Sequence, residues 1–511
     1  MGAPATASSA TCSAIRLIES LRQLLDGEHV ITDESRVSYL STDLSAYPAV
    51  SAAAVIQPDS AEKLAEAVQL IASSGYGIVP RGGGMSYTRG YVPERPESVL
   101  IDLRRMNRIL EINADDMYVT VEAGCTWKQL YEALQARGLR TPYYGPLSGM
   151  YATVGGTLSQ NSLFWGSGLY HTAADSCVGL EVVLADGAIV RTGSGAHRYS
   201  NSFYRHFGPD LTGIFTADTG AFGIKTKITL RLIEAPAVTL HASFGFEAIA
   251  TMLEAQIKLA RKHVASECYG FDPFYNGVME GLGFKIVPRE RVSENDAKIN
   301  FTLHVSIDGF DRGSAESALA IVRNCCAEGG IELDHSIPAA FKAQPFGGVR
   351  TILLGAQGEL WLPVHGFFPL SKTKAAAEAT ESFFTSKAEL LRRHGIKTSY
   401  LTCFSGNEFV IEPSFYWFDE LGPFRLDLIE PEYREKWGSI KADPTTRSVV
   451  VALREELRDL FFRNGACSVQ IAKYYPYAEA MNNPHTWHLL EEIKRLLDPK
   501  GVMNPGALGL R

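Results

Sequence analysis

The segment "VPRGGGMSYTRGYVP", residues 79–93, sets Gly82, Gly83 and Gly84 directly after an arginine and a short apolar run. Glycine reaches left-handed backbone freely and has no Cβ, so such a run lets successive amide N–H groups close on an anion. A P-loop needs lysine and then serine or threonine after its last glycine, but Met85 and Ser86 follow Gly84. A Rossmann fingerprint needs a third glycine where Tyr87 stands, and no helical pattern begins there. A diphosphate cradle and a plain glycine-rich turn remain. Two more small-residue stretches follow: "ATVGGTLSQNS", with Gly155 and Gly156, and "TADTGAFGIKTKITLRL", with Gly220 and Gly223. Three close-approach sites within one domain length point to one extended, phosphate-bearing ligand across them.

Acid–base candidates are sparser. Trp361, His365, Phe367 and Phe368 cluster in "ELWLPVHGFFP", and Phe415, Tyr416, Trp417 and Phe418 in "EPSFYWFDELGPF". Such clusters suit a pocket for a flat ring, and equally suit a strand core at period two. His365 is a candidate base. The 8 cysteines form no CxxC, which argues against zinc-ribbon, thioredoxin-like and haem-attachment motifs and leaves reduced, buried thiols.

The chain's 511 residues exceed one hydrophobic core, so two or more domains must position these groups. Hydrophobic residues at 46% and charged residues at 21% fit a globular chain. A net charge of −8 disfavours nucleic acid as a partner. No apolar run reaches a membrane span, and the N-terminus lacks a secretory pattern, so a cytoplasmic protein is expected. Gly2 and Thr6 match a myristoylation pattern that a short tail of small residues also explains.

Residues 13–25 read as a helix with Ile15, Leu17, Ile18, Leu21 and Leu24 on one stripe. Residues 51–80 read as strand, helix, strand, with Asp59 or Ser60 as cap and Gly75 as stop. Hairpins turn at "NADD" and at Asp186-Gly187. From about residue 237 to 440, long helices alternate with strands, including one helix over "KTKAAAEATESFFTSKAELLRRHG". The whole reads as α+β layers.

In this order, the segments resemble the FAD-binding flavoproteins of the vanillyl-alcohol oxidase and p-cresol methylhydroxylase type, which include D-lactate and glycolate dehydrogenases. "IVPRGGGMSYTRGYVP" is similar to that family's pyrophosphate loop, "YATVGGTLSQNS" to the loop beside the flavin, and "LLDPKGVMNPGALG" to the closing segment. "VGLEVVLADGAIVRTG" and "TADTGAFGIKTKITLRL" resemble the remainder of the flavin domain. The resemblance implies an α+β, two-domain fold. A PCMH-type FAD-binding domain would span residues 1–236, completed by 465–511. A substrate cap over 237–464 would hold an antiparallel sheet covered by helices. It further implies that Gly82, Gly83, Gly84, Met85 and Ser86 hold the FAD diphosphate. Ser148, Thr153, Gly155, Gly156 and Asn161 would line the flavin, with Ile224 at the adenine end and Asn504 approaching from the C-terminal segment.

Departures from the family refine the expected chemistry. The hydroxy-acid dehydrogenases carry histidines where this chain has "YLTCFSGNEFVIEP" and "CSVQIAKYYPY", so a metal-assisted route is not expected. Tyr87 fits the tyrosine that phenol oxidases carry in the glycine-loop region. Their C-terminal Tyr-Arg pair falls on Val469 and Gln470, with Lys473 and Tyr475 close behind as possible oxyanion partners. Gly84 and Met85 exclude a covalent flavin link at the loop, leaving Tyr416 as the one arguable cap-side residue, so non-covalent FAD is expected. The resemblance therefore implies an FAD-dependent oxidase or dehydrogenase for an aromatic or phenolic small molecule, with Tyr87, Lys473, Tyr475 and His365 in catalysis. A 2-hydroxy-acid dehydrogenase is the alternative. A non-redox FAD transferase is another, although its C-terminal histidine cluster is missing and His485 and His488 lie on the final helix. A cytochrome, a quinone or O2 would accept the electrons, and a homodimer fits the family.

Overall fold

The computed structural model describes residues 6–289 and 298–510. Gly2 of the myristoylation pattern lies outside them. No helix among the described residues is long and apolar enough to cross a membrane.

The first helix, Thr6–Leu25, buries Leu17, Leu21 and Leu25. Ile15, expected on that stripe, is 52% exposed because the buried face follows the four-residue step through Leu17. The next unit joins Ala54–Ile56 to Gly77–Arg81 through the helix Ala61–Ser73, capped by the Ser60 hydroxyl on the Lys63 amide. Ser98–Asp102 lies between these strands and pairs with both in parallel. A mostly parallel βαβ sheet thus adjoins a five-stranded antiparallel sheet holding both predicted hairpins. The C-terminal tail returns to the parallel sheet. Ile78 donates its amide to Val502 O at 2.7 Å, and Asn504 donates to Ile78 O at 2.8 Å.

Over this region lies an eight-stranded antiparallel sheet backed by helices. Its long strand Glu408–Trp417 forms a hairpin with Lys397–Ser405, turning at Gly406 with φ +56°. The helix expected over residues 372–395 breaks into Thr373–Ser386 and Ala388–Arg393. Pro444–Arg463, a helix absent from the sequence reading, starts at a local signal: Asp443 caps the Thr446 amide and Pro444 occupies the first turn.

Strand Glu408–Trp417 is sandwiched. Phe409, Ile411, Phe415 and Trp417 pack toward the helices, while Val410 joins a smaller apolar cluster with Phe271, Tyr275 and Leu401. Strand alternation sends Glu412 to the same side as Val410. That side faces the glycine loop across a cavity.

Candidate active site

The cavity measures about 400 Å³ and runs from the glycine loop to the cap sheet. The loop forms one wall, and its glycines answer first to packing. A Cβ on Gly83 would lie 1.9 Å from Tyr151 O, and one on Gly82 would lie 2.3 Å from Thr153 Oγ1. Gly84 adopts φ +75°. The backbone is thereby pressed against residues 151–153. Among the described residues, nothing accepts from the amides of Gly83, Gly84, Met85 or Ser86. Gln160 Oε1 is also buried without a partner at this wall. Unspent amides beside a cavity fit the diphosphate of a dinucleotide.

Of the residues expected to hold cofactor, Gly82, Gly83, Gly84, Met85, Ser86, Ser148, Thr153 and Gly156 line this cavity. Gly155 and Ile224 line a small neighbouring one that shares Gly82, Thr153 and Gly156 with it. Two others do something else. Asn161 ends the helix Val154–Gln160 in left-handed backbone, φ 53°, and accepts from the Ala174 amide. Its neighbours Gln160 and Ser162 face the cavity instead. Asn504 donates to Gly90 O and Thr219 O at 2.7 and 2.6 Å, tying the tail to the glycine-loop region rather than lining the cavity.

The opposite wall carries the titratable groups. Strands Leu360–Pro363 and Gly366–Pro369 both pair with Glu408–Trp417, in registers that leave Val364 and His365 opposite Glu412 and Pro413. The Val364 amide bonds Pro413 O at 2.9 Å. This break sets His365 Nε2 3.3 Å from Glu412 Oε2. Tyr87, arriving on the glycine loop, places its hydroxyl 2.5 Å from the same nitrogen. Trp361 packs edge-on to Tyr87 at 5.2 Å between ring centres.

Behind the cluster, Tyr475 accepts from the His365 amide at 2.8 Å and meets His365 Nδ1 at 3.1 Å. Arg454 is fully buried. It donates to Pro363 O at 2.9 Å and Tyr87 O at 3.0 Å, with its guanidinium 3.8 Å from the Tyr474 ring centre. Burial, and then the Arg454 charge, hold His365 down to about 3. Burial pushes Glu412 up to about 8 and raises Tyr87 well above its ordinary value. Glu412 still exposes 20% of its side chain, and it lines the cavity, so a ligand filling the space completes its desolvation.

Tyr87 and His365 therefore meet at the cavity, and Tyr475 stands behind them. Lys473 does not join: its Nζ donates to Val92 O at 2.8 Å and it lines neither cavity, because its amide also binds Thr88 O and directs it along the loop's outgoing arm. Tyr416 engages the Tyr275 hydroxyl at 3.0 Å. His485 and His488 are exposed on Pro484–Leu497. No group of three or more potential metal ligands occurs among the described residues. The sequence reading missed Glu412, Arg454 and Gln160. The signal for Glu412 was a carboxylate on the Val410 and Ser414 side of an otherwise apolar strand.

Residues 52–193 match the FAD binding domain, and residues 472–508 match the C-terminal domain of FAD linked oxidases. The chain carries an FAD binding domain and the C-terminal domain of FAD linked oxidases. It is 32% identical over 183 residues to glycolate oxidase subunit GlcD of Bacillus subtilis, covering 36% of this chain and 37% of that protein. It is 29% identical to the mitochondrial D-lactate dehydrogenase [cytochrome] of Arabidopsis thaliana, covering 49% and 44%. The chain thus matches less than half the length of either relative. In fold it is similar to p-cresol methylhydroxylase with substrate bound, at 19% identity and TM-score 0.76 over 98% of this chain and 97% of that one. The 4-ethylphenol oxidase of Gulosibacter chungangensis gives 20% identity and TM-score 0.76 over the same shares.

Proposed function

We propose that this flavoprotein oxidises a neutral aromatic alcohol or alkylphenol. The bound FAD supplies the hydride acceptor, N5. The amides of Gly83–Ser86 hold its diphosphate, and Phe271, Trp361 and Leu401 flank a flat substrate ring. Tyr87, held by His365, orients the substrate oxygen, and the apolar walls exclude water from the reacting carbon. The observation that carries this reading is the cavity's lining: aromatic, bearing Tyr87, His365 and Glu412, and containing no lysine or arginine among the described residues. A 2-hydroxy-acid carboxylate would enter without a countercharge and, once Glu412 ionises, beside a like charge.

The FAD is proposed to be non-covalent, since the loop offers Gly84 and Met85 and the Tyr416 hydroxyl is engaged. Domain limits near residues 236 and 465 follow from the same reading. The electron acceptor is O2, a quinone or a separate cytochrome. The test is anaerobic titration of the FAD-loaded protein with 4-alkylphenols, aromatic alcohols and 2-hydroxy acids. Bleaching by the first two groups and not by the third is expected. Bleaching by lactate or glycolate alone would replace this reading with a hydroxy-acid dehydrogenase. Persistence with all three would favour a non-redox use of FAD. Yellow colour retained in an acid-precipitated pellet would refute non-covalent binding.

A further inference from the structure

We propose that Glu412 is the proton acceptor of this site, taking the hydroxyl proton of an aromatic alcohol as the C–H pair leaves its carbinol carbon for the flavin. The inference rests on the function proposed above and displaces His365 from the role of base. The step balances: the O–H and C–H bonds break, C=O forms, Glu412 becomes the neutral acid, and FAD takes two electrons with one hydrogen nucleus.

Hydrogen-bond directions separate the two groups. The Tyr475 oxygen already accepts from the His365 amide, so its own proton is free for His365 Nδ1. A neutral imidazole accepting there carries its proton on Nε2. That N–H lies between the Tyr87 oxygen and Glu412 Oε2. His365 therefore donates from Nε2 to the Tyr87 oxygen at 2.5 Å, with Glu412 Oε2 3.3 Å from the same nitrogen, and its two nitrogens are committed. Burial and the Arg454 charge also leave it a poor base. It is a positioning residue.

Glu412 has the opposite circumstances. His365 Nε2, 3.3 Å away, is its polar neighbour, and its open surface faces the cavity. The groups around it come from five places. They are His365 at the strand break, Tyr87 on the glycine loop, Tyr275 on Pro273–Gly281, Cys403 on Lys397–Ser405, and Tyr475 behind His365. Tyr416 lies on its own strand. All of these are neutral near pH 7, and the cation Arg454 lies beyond His365 and Tyr87. An ionised Glu412 in these surroundings is an avid base, and its protonated form suits an apolar cavity.

Two measurements test the assignment, using benzyl alcohol and benzoate as probes. In the FAD-loaded protein, anaerobic bleaching by benzyl alcohol is expected to accelerate with pH and level off above about 8. Glu412→Gln should slow it roughly 100-fold or more and remove the ascending limb, and Glu412→Asp should restore the limb at a lower rate. Independently of turnover, benzoate binding is followed by Trp361 fluorescence. Its affinity should fall roughly tenfold or more between about pH 6 and about pH 9, as Glu412 ionises beside it. Glu412→Gln should abolish that dependence. An ascending limb that survives in the Gln variant, benzoate binding with unchanged pH dependence, or no benzoate binding at low pH overturns the proposal. If the benzoate result holds and no aromatic alcohol bleaches the flavin, the reaction class is wrong and the acceptor role falls with it, while the ionising group remains located at Glu412.

Discussion

One wall of the cavity is main chain and the other is side chain. On the loop wall, Gly82–Gly84 contribute amides and the absence of Cβ atoms. On the cap wall, His365 and Glu412 contribute ionisable groups held by strand register. On the loop wall, backbone presses on backbone. The cap wall is held by long-range hydrogen bonds, and Tyr87 and Arg454 connect the two. Under the proposed function this is a division of labour: fixed dipoles would grip the anionic cofactor without adding charge, and groups whose protonation can change would stand where bonds break.

The largest effect that would break this comparison lies on the loop. Gly83→Ala sets a Cβ 1.9 Å from Tyr151 O, so the loop must move. A cost of about 3 kcal/mol or loss of FAD binding is expected, measured by FAD titration and flavin retention on gel filtration. Undiminished FAD binding would show that the loop does not hold the cofactor.

Arg454→Met removes donors from Pro363 O and Tyr87 O, both at the seam. Thermal unfolding should report a loss of about 2–4 kcal/mol, with weakened substrate binding as Tyr87 loses its support.

On the cap wall, Glu412 is raised from 4.5 to about 8 in the fold. Within that window the folded chain holds a proton that the unfolded chain has released. Stability contributed below about pH 4.5 is therefore lost as pH rises toward 8, by up to about 1.4 kcal/mol per unit. Glu412→Gln should remove this slope from denaturant-unfolding curves. A slope equal to wild type would place the titrating group elsewhere.

The smallest effect is expected for Lys473→Met. It deprives Val92 O of a donor, at about 1 kcal/mol, and should leave flavin reduction by substrate unchanged. A large fall in the reduction rate would restore Lys473 to the catalytic group.

Much of the loop wall was legible in the sequence because its requirements are local. Glycines bunched after a strand report close approach wherever they occur, and the segments 152–162 and 216–232 repeated the signal. Hairpins at Asn113–Asp116 and Asp186-Gly187 were legible for the same reason. The roles of Asn161 and Asn504 were not, because a cap and a stitch use the same amide side chain that a ligand contact would. Lys473 and Tyr475, two residues apart, diverge in the fold, one onto Val92 O and the other onto His365.

The sequence alone therefore determined the close backbone approach at the glycine run, both hairpins, the α+β class and the absence of hydroxy-acid histidines, because each depends on residues near one another in the chain. Only the tertiary structure decided which ionisable groups share the cavity. Tyr87, His365, Glu412 and Arg454 are separated by as many as 367 residues, and their meeting depends on two short strands pairing in broken register with a third. A lone carboxylate on a strand becomes a poised base only when the surrounding fold removes water and withholds a countercharge.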